Sequence, residues 1–166
     1  NVPYANRYPT PLRLASFTAF TVAAGVAGAL ERRPDVVFAS STPLTIGIAG
    51  LATARLKRVP FVFEIRDLWP AVPVQLGALK SPPAVRSAEW LERRLYAGAE
   101  RIVVLSEGAQ QDLERRGIPS EKLSLIPNAA DLDVFRPGVV DEEFRARNGL
   151  EGKFVALYSG AMGRAN

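Results

Sequence analysis

An alternation constrains this chain more than any other feature. Short apolar runs at residues 35–39, 61–65, 101–105, 123–126 and 154–158 are rich in β-branched and aromatic residues, and polar residues or proline close most of them. Runs of that length and composition predict buried strands. Segments with helical periodicity lie between them, at 44–57, 83–98 and 106–117, with a shorter charged one at 141–148. Strands that alternate with helices form parallel sheets, because a parallel connection needs a crossover. The expectation is an α/β fold: a parallel sheet with flanking helices, its strands apolar on both faces and covered on both sides. Right-handed crossovers then bring every strand to an end on the same edge.

That edge collects the polar residues. Ser40 and Ser41 follow the first run, Arg66 and Asp67 the second, Ser106 and Glu107 the third and Asn128 the fourth. Open α/β sheets bind ligands outside the carboxyl ends of their strands. The helices that start there aim free N–H groups the same way, which favours an anionic ligand. Arg66 and Asp67 sit between the apolar run and Trp69-Pro70, where proline ends regular structure. Two readings stand side by side: a charged pair belonging to a site, or an aspartate that caps a helix and pairs with the arginine beside it. The segment 66–82, with Pro70, Pro73 and Pro82, reads as a long loop, and long loops inside compact domains are often functional. Thr42-Pro43 has the pattern of an N-cap and helix start, and Gly117 that of a helix stop. Gly160 and Gly163, with Arg164, follow the last run. Glycines there let the backbone approach a phosphate closely, and a simple turn pair fits the same spacing.

Composition removes several chemistries. The 166 residues contain no cysteine and no histidine. There is therefore no disulfide, no thiolate nucleophile, no imidazole base and no metal site built on either ligand. The length suits one ordinary domain, and 48% hydrophobic residues suit a globular core. A formal charge of +4, mostly from arginine, fits phosphate-bearing ligands or an anionic membrane surface. No basic run interleaved with aromatics resembles a nucleic-acid platform.

Thr10-Pro11 opens a helix, Thr as cap and Pro at its first position, that is expected to run to about Arg33. It has no charge between Leu14 and Leu30, and Arg7, Arg13, Arg32 and Arg33 flank it. The preferred reading is a helix packed on the sheet, because Ala, Gly, Ser and Thr dilute a span already at the short limit; membrane spanning is the alternative.

In order, Pro34-Asp35-Val36-Val37-Phe38-Ala39-Ser40-Ser41, Phe63-Glu64-Ile65-Arg66-Asp67-Leu68-Trp69-Pro70, Ile102 to Glu107, Leu125-Ile126-Pro127-Asn128-Ala129-Ala130-Asp131 and Tyr158-Ser159-Gly160 make a pattern. It resembles the family 4 glycosyltransferases of the two-domain GT-B type, especially the bacterial polysaccharide-assembly branch that includes WbuB-like fucosamine transferases. The resemblance implies a Rossmann-like domain on the acceptor side at 1–150, and the start of a second, donor-binding domain at 151–166. It implies transfer with retained anomeric configuration from a nucleotide-sugar donor to a glycan or lipid-linked acceptor. That reaction usually needs no metal, and the nucleotide sugar is a substrate rather than a cofactor. It further implies a cytoplasmic enzyme with peripheral contact to the anionic inner face of the membrane, and no nucleic-acid partner. Asp67 takes the position of the family's acid, to orient or deprotonate an acceptor hydroxyl or to hydrogen-bond the transferred sugar. Arg66, Ser41, Ser106, Glu107 and Asn128 fall to substrate binding, and Gly160, Gly163 and Arg164 to the donor phosphate loop. Many relatives have a His-Asp pair where this chain has Arg66-Asp67, and Ala129 stands where they often have glycine. The family's amino-terminal glycine-rich loop and the paired glutamates of its second domain have no counterpart here. The chain then reads as a piece, inactive alone, with the 35–39 strand left as an exposed apolar edge. The rival readings are a non-catalytic nucleotide or sugar-phosphate binding module, and a membrane-associated structural subunit built on the first helix.

Overall fold

Four short strands form one parallel sheet in the order β1-β2-β3-β4. The computed structural model describes residues 9–77, 79–138 and 140–160. The elements are α1 (Thr10–Leu30), β1 (Val37–Ser40), α2 (Ile46–Lys57), β2 (Phe61–Ile65), α3 (Ala71–Gln75), α4 (Pro82–Gly98), β3 (Arg101–Val104), α5 (Glu107–Arg115), β4 (Leu123–Leu125) and α6 (Glu142–Arg147). The register sets Ala39 beside Phe63, Phe63 beside Ile102, and Ile102 beside Leu123. The chain is an α/β, Rossmann-like arrangement, a parallel sheet flanked by helices, as the alternation predicts.

Strand periodicity decides where the core lies. Ala39, Phe61, Phe63, Ile65, Ile102, Val104 and Leu123 share one face and are all buried. Leu51 and Ala54 of α2, Leu95 and Tyr96 of α4, and Leu113 of α5 join them in one core. The alternate face carries Phe38, Val62, Glu64, Val103 and Ser124, of which only Val103 is buried. Burial on both faces was expected and is not found. Consecutive strands joined by right-handed crossovers place their helices on the same face, so α2, α4 and α5 all cover one side. β1 is an edge strand with Phe38 and Val36 exposed, as expected.

Glycines let α2 lie against the sheet. A Cβ on Gly50 would stand 2.7 Å from the Phe61 ring and 2.9 Å from the Ala39 methyl, and one on Gly47 would meet Leu95 and Phe63. Helix α1 departs from expectation, because its main partner is α2 and not the sheet. Small residues again permit the approach: Gly25 faces Ala49, and Gly28 faces Thr53. Polar groups fix the pair, with the Thr21 and Thr45 hydroxyls hydrogen-bonded at 3.1 Å and Lys57 Nζ donating to the carbonyls of Ala29 and Glu31 at 2.7 and 2.6 Å. The latter contact places a cation on the negative end of α1. The side of α1 turned away from α2 exposes Val22, Val26 and Leu30. By length and composition alone, residues 11–30 would suffice to cross a membrane.

Three helix starts differ in detail. Pro9, not Thr10, is the N-cap of α1, which puts Pro11 at the second helical position. Thr42 does not cap α2, which starts at Ile46 after a turn in which Ile46, Gly47 and Ile48 donate three residues back. The stretch read as a long loop contains α3, hidden from the sequence by Pro73, which sits in the first turn where its missing N–H costs nothing. Ser106 caps α5 as expected, its Oγ accepting from Ala109 N at 3.2 Å. Gly117 follows that helix with φ +85°, a conformation glycine adopts without penalty.

The chain divides into two compact units at Pro127/Asn128. The second unit holds α6, capped by Asp141, whose Oδ1 accepts from Phe144 N at 2.8 Å. Arg145 reaches the carbonyls of Leu150 and Lys153. The strand expected at 154–158 is absent: those residues have no regular structure, and Phe154 and Leu157 are almost wholly exposed. A strand exists only through a neighbour's hydrogen bonds, and among the described residues of this unit no strand offers them.

Candidate functional site

Parallel strands bring the carboxyl ends of β1, β2 and β3 to one edge, and the loops after them supply the polar groups. Three consecutive hydroxyls leave β1, and each meets a different position of β2 or the residues after it. Ser40 Oγ donates to the Glu64 carboxylate. Ser41 Oγ accepts from Arg66 N at 3.1 Å, while Ser41 N donates to Glu64 O at 2.8 Å. Thr42 Oγ1 donates to Asp67 Oδ2 at 3.2 Å. Register explains the set: Ser40 lies beside Glu64, so the two chains leave the sheet in step.

Burial separates the three. Ser41 is 2% exposed and points to the core side, where its hydroxyl and N–H continue the ladder past the strand ends. Its role here is to hold the backbone that carries Arg66 and Asp67. Asp67 and Arg66 are both exposed. The bland reading of this pair fails on geometry. Asp67 caps no helix, because Pro70 occupies the N-cap of α3, and among the described residues it makes no ion pair with Arg66. Among the described residues this exposed carboxylate has one neutral donor, and it stands at the edge where open α/β sheets bind ligands, with room to accept a further hydrogen bond.

Ser106 and Glu107 follow β3 on the same edge, since Ile65 pairs with Val104. The Ser106 oxygen accepts the cap bond of α5, and Glu107 is exposed in the first turn. Asn128 and Gly160 belong to the second unit, and Gly163 and Arg164 lie outside the described residues. Thr42 and Glu64 are members of this edge that sequence reasoning did not single out. The available signal was positional: Thr42 is the next hydroxyl after Ser41, and Glu64 interrupts an otherwise apolar strand.

A separate groove lies away from this edge. It has a volume of about 770 Å³ and runs between α4 and α5, lined among others by Val85, Arg93, Tyr96, Asp112, Arg116 and Lys122. At its base Glu92, 1% exposed, accepts from Tyr96 Oη at 2.9 Å and from the Arg116 guanidinium. Burial pushes the Tyr96 phenol above its ordinary value, and the Glu92 charge and hydrogen bond raise it further. The hydrogen bond to Glu92 likewise holds Arg116 protonated. Both Glu92 oxygens, the Tyr96 hydroxyl and the two Arg116 amino groups have partners within the chain, the second of those groups in Asp112, so the cluster fastens α4 to the end of α5.

Comparison with known proteins agrees with the parallel sheet. The glycosyl transferase 4-like domain matches residues 1–129. A relative from Catenulispora acidiphila, D-inositol 3-phosphate glycosyltransferase 1, is 32% identical over 124 residues. That alignment covers 71% of this chain and 28% of the relative, so the chain spans under a third of that protein's length. With a match over most of its residues, and with the parallel sheet that the strand pattern requires, the chain belongs to the glycosyl transferase 4-like domain family.

Proposed function

We propose that this chain is the acceptor-side part of a retaining glycosyltransferase. It moves a sugar from a nucleotide-sugar donor to a glycan or lipid-linked acceptor in the assembly of a bacterial surface polysaccharide. Family membership supports sugar transfer in general. The resemblance to WbuB-like transferases supports the retaining course, the nucleotide sugar as substrate without a further cofactor, and the two-part domain plan. The observation that carries the site is Asp67: an exposed carboxylate at the carboxyl edge, neither a helix cap nor paired with Arg66.

In this reading Asp67 is the acid that receives or orients the reacting hydroxyl. Arg66, charged and exposed beside it, offers a planar fork to a phosphate. A general base contributes typically ~10²–10⁴-fold in rate. Asp67→Asn in the full-length transferase should therefore cut steady-state sugar transfer about a hundredfold or more, on that scale, while the melting temperature holds. Normal turnover by that variant would return Asp67 to a structural role. A lipid-linked acceptor also requires work at a cytoplasmic membrane surface. The exposed apolar side of α1 and the arginines after it, Arg32 and Arg33, support peripheral contact there. Binding to anionic vesicles should weaken as salt rises, because surface attraction is screened. Retention through a high-salt or alkaline wash would favour a spanning helix instead.

A further inference from the structure

We propose that Thr42 is the positioning residue for Asp67; this rests on the reading of Asp67 as the reacting acid. Of the three hydroxyls leaving β1, those of Ser40 and Ser41 bond groups that belong to β2 or its backbone continuation. They keep two chains in step and would do so in any sheet. Thr42 differs, because its Oγ1 meets the side chain of Asp67, at Oδ2 and 3.2 Å.

The backbone at this point carries the second observation. Thr42 has φ +139°, a region that residues with a side chain rarely adopt and β-branched ones least of all. Such conformations persist only where the surroundings enforce them, and they gather at functional sites. The start of α2 does not need a threonine here. Thr42 does not cap α2, whose first turn is closed by backbone bonds from Ile46, Gly47 and Ile48. A glycine would occupy the same φ without penalty. What a glycine would lose is the hydroxyl on Asp67.

The bond has a direct chemical consequence. An exposed aspartate turns freely about two torsions. A donor on Oδ2 selects one orientation and leaves Oδ1 to the ligand. Preorganisation of this kind raises the rate of the chemical step rather than the strength of ground-state binding, since a small misplacement of a reacting group is felt mainly in the transition state.

The test compares Thr42→Val, Thr42→Ser and Thr42→Gly with Asp67→Asn in the full-length transferase, with nucleotide sugar and acceptor varied separately and melting measured beside turnover. Thr42→Val keeps the branched shape and removes the donor. It should lower kcat about tenfold or more with KM nearly unchanged, and Thr42→Ser should restore most of the loss. Thr42→Gly relieves the backbone and should melt no lower than the parent, yet lose kcat as the valine variant does; it decides the matter if the valine variant does not fold. Adding Thr42→Val to Asp67→Asn should cost little more, because both act through one carboxylate. Wild-type kcat in the valine and glycine variants, alongside an impaired Asp67→Asn, overturns the role of Thr42 and leaves Asp67 standing. Wild-type kcat in Asp67→Asn overturns both.

Discussion

Glu92 and Asp67 are both carboxylates on the flanks of one sheet, and they are held in opposite ways. Glu92 is 1% exposed and answered by two donors, the Tyr96 hydroxyl and the Arg116 guanidinium, the latter also standing 5.9 Å from the Tyr96 ring centre. Asp67 is exposed and has one neutral donor, supplied by a strained residue on the neighbouring loop. A buried acid left without its partners costs stability. An exposed acid has no such need, so a dedicated donor on it calls for another explanation. The groove above Glu92 is roomy, yet the carboxylates at its base, Glu92 and Asp112, are both matched by Arg116. The edge around Asp67 presents a carboxylate that has no ion pair among the described residues, beside an arginine.

The largest effect should come from breaking the buried pair on its cationic side. Arg116→Ala leaves Glu92 in the core with the phenol alone, and removing one partner of a buried pair typically costs about 3–5 kcal/mol. Equilibrium urea unfolding of the parent and the variant measures it. A loss under 1 kcal/mol, the scale of surface pairs, would mean that Glu92 finds water and that the contrast with Asp67 is false.

The next effect is alkaline. Tyr96 is 3% exposed, and its folded phenol keeps its proton well above the ordinary value of 10.0. In the unfolded chain that proton leaves near pH 10, so the stability is complete below that pH and falls above it. The slope is about 1.4 kcal/mol per pH unit for one proton. Tyr96→Phe should remove that share of the slope in melts taken between about pH 9 and pH 11, around the phenol's ordinary pKa. An unchanged slope would show that the phenol already titrates in the folded state.

The smallest effect tests a residue between the two cases. Ser106 lies on the same edge as Asp67 but serves as a cap. Ser106→Ala should cost about 1 kcal/mol of stability. A loss of turnover beyond what that explains would move Ser106 to the side of Asp67.

Four of the five strands were legible because an apolar run has few other uses, and the run at 61–65 became β2 residue for residue. Ser106 and Gly117 were legible too, since capping and a positive φ are local matters. What depended on partners was not. The run at 154–158 has strand composition and no strand beside it, so it stays irregular. Pro73 hid α3, because a proline in a first turn looks in sequence like one in a loop. Helix α1 was expected on the sheet, and only the fit of Gly25 and Gly28 against α2 shows otherwise. Glu92 keeps step with Val85, Ala88 and Leu95 along the apolar stripe of α4, but a charge is read as solvent-facing until its donor from another helix is known. Thr42 was missed for the same reason: its bond to Asp67 joins residues 25 apart.

The central claim is that one acid serves chemistry and the other serves stability. Asp67→Asn and Glu92→Gln, prepared in the full-length transferase and measured for steady-state transfer per folded molecule beside thermal melting, test it most directly. The account predicts a crossed result. Asp67→Asn loses turnover about a hundredfold or more on the general-base scale and keeps its melt, while Glu92→Gln melts lower and turns over normally per folded molecule. Turnover by Asp67→Asn that is normal, or that falls only in step with lost folded protein, would contradict it.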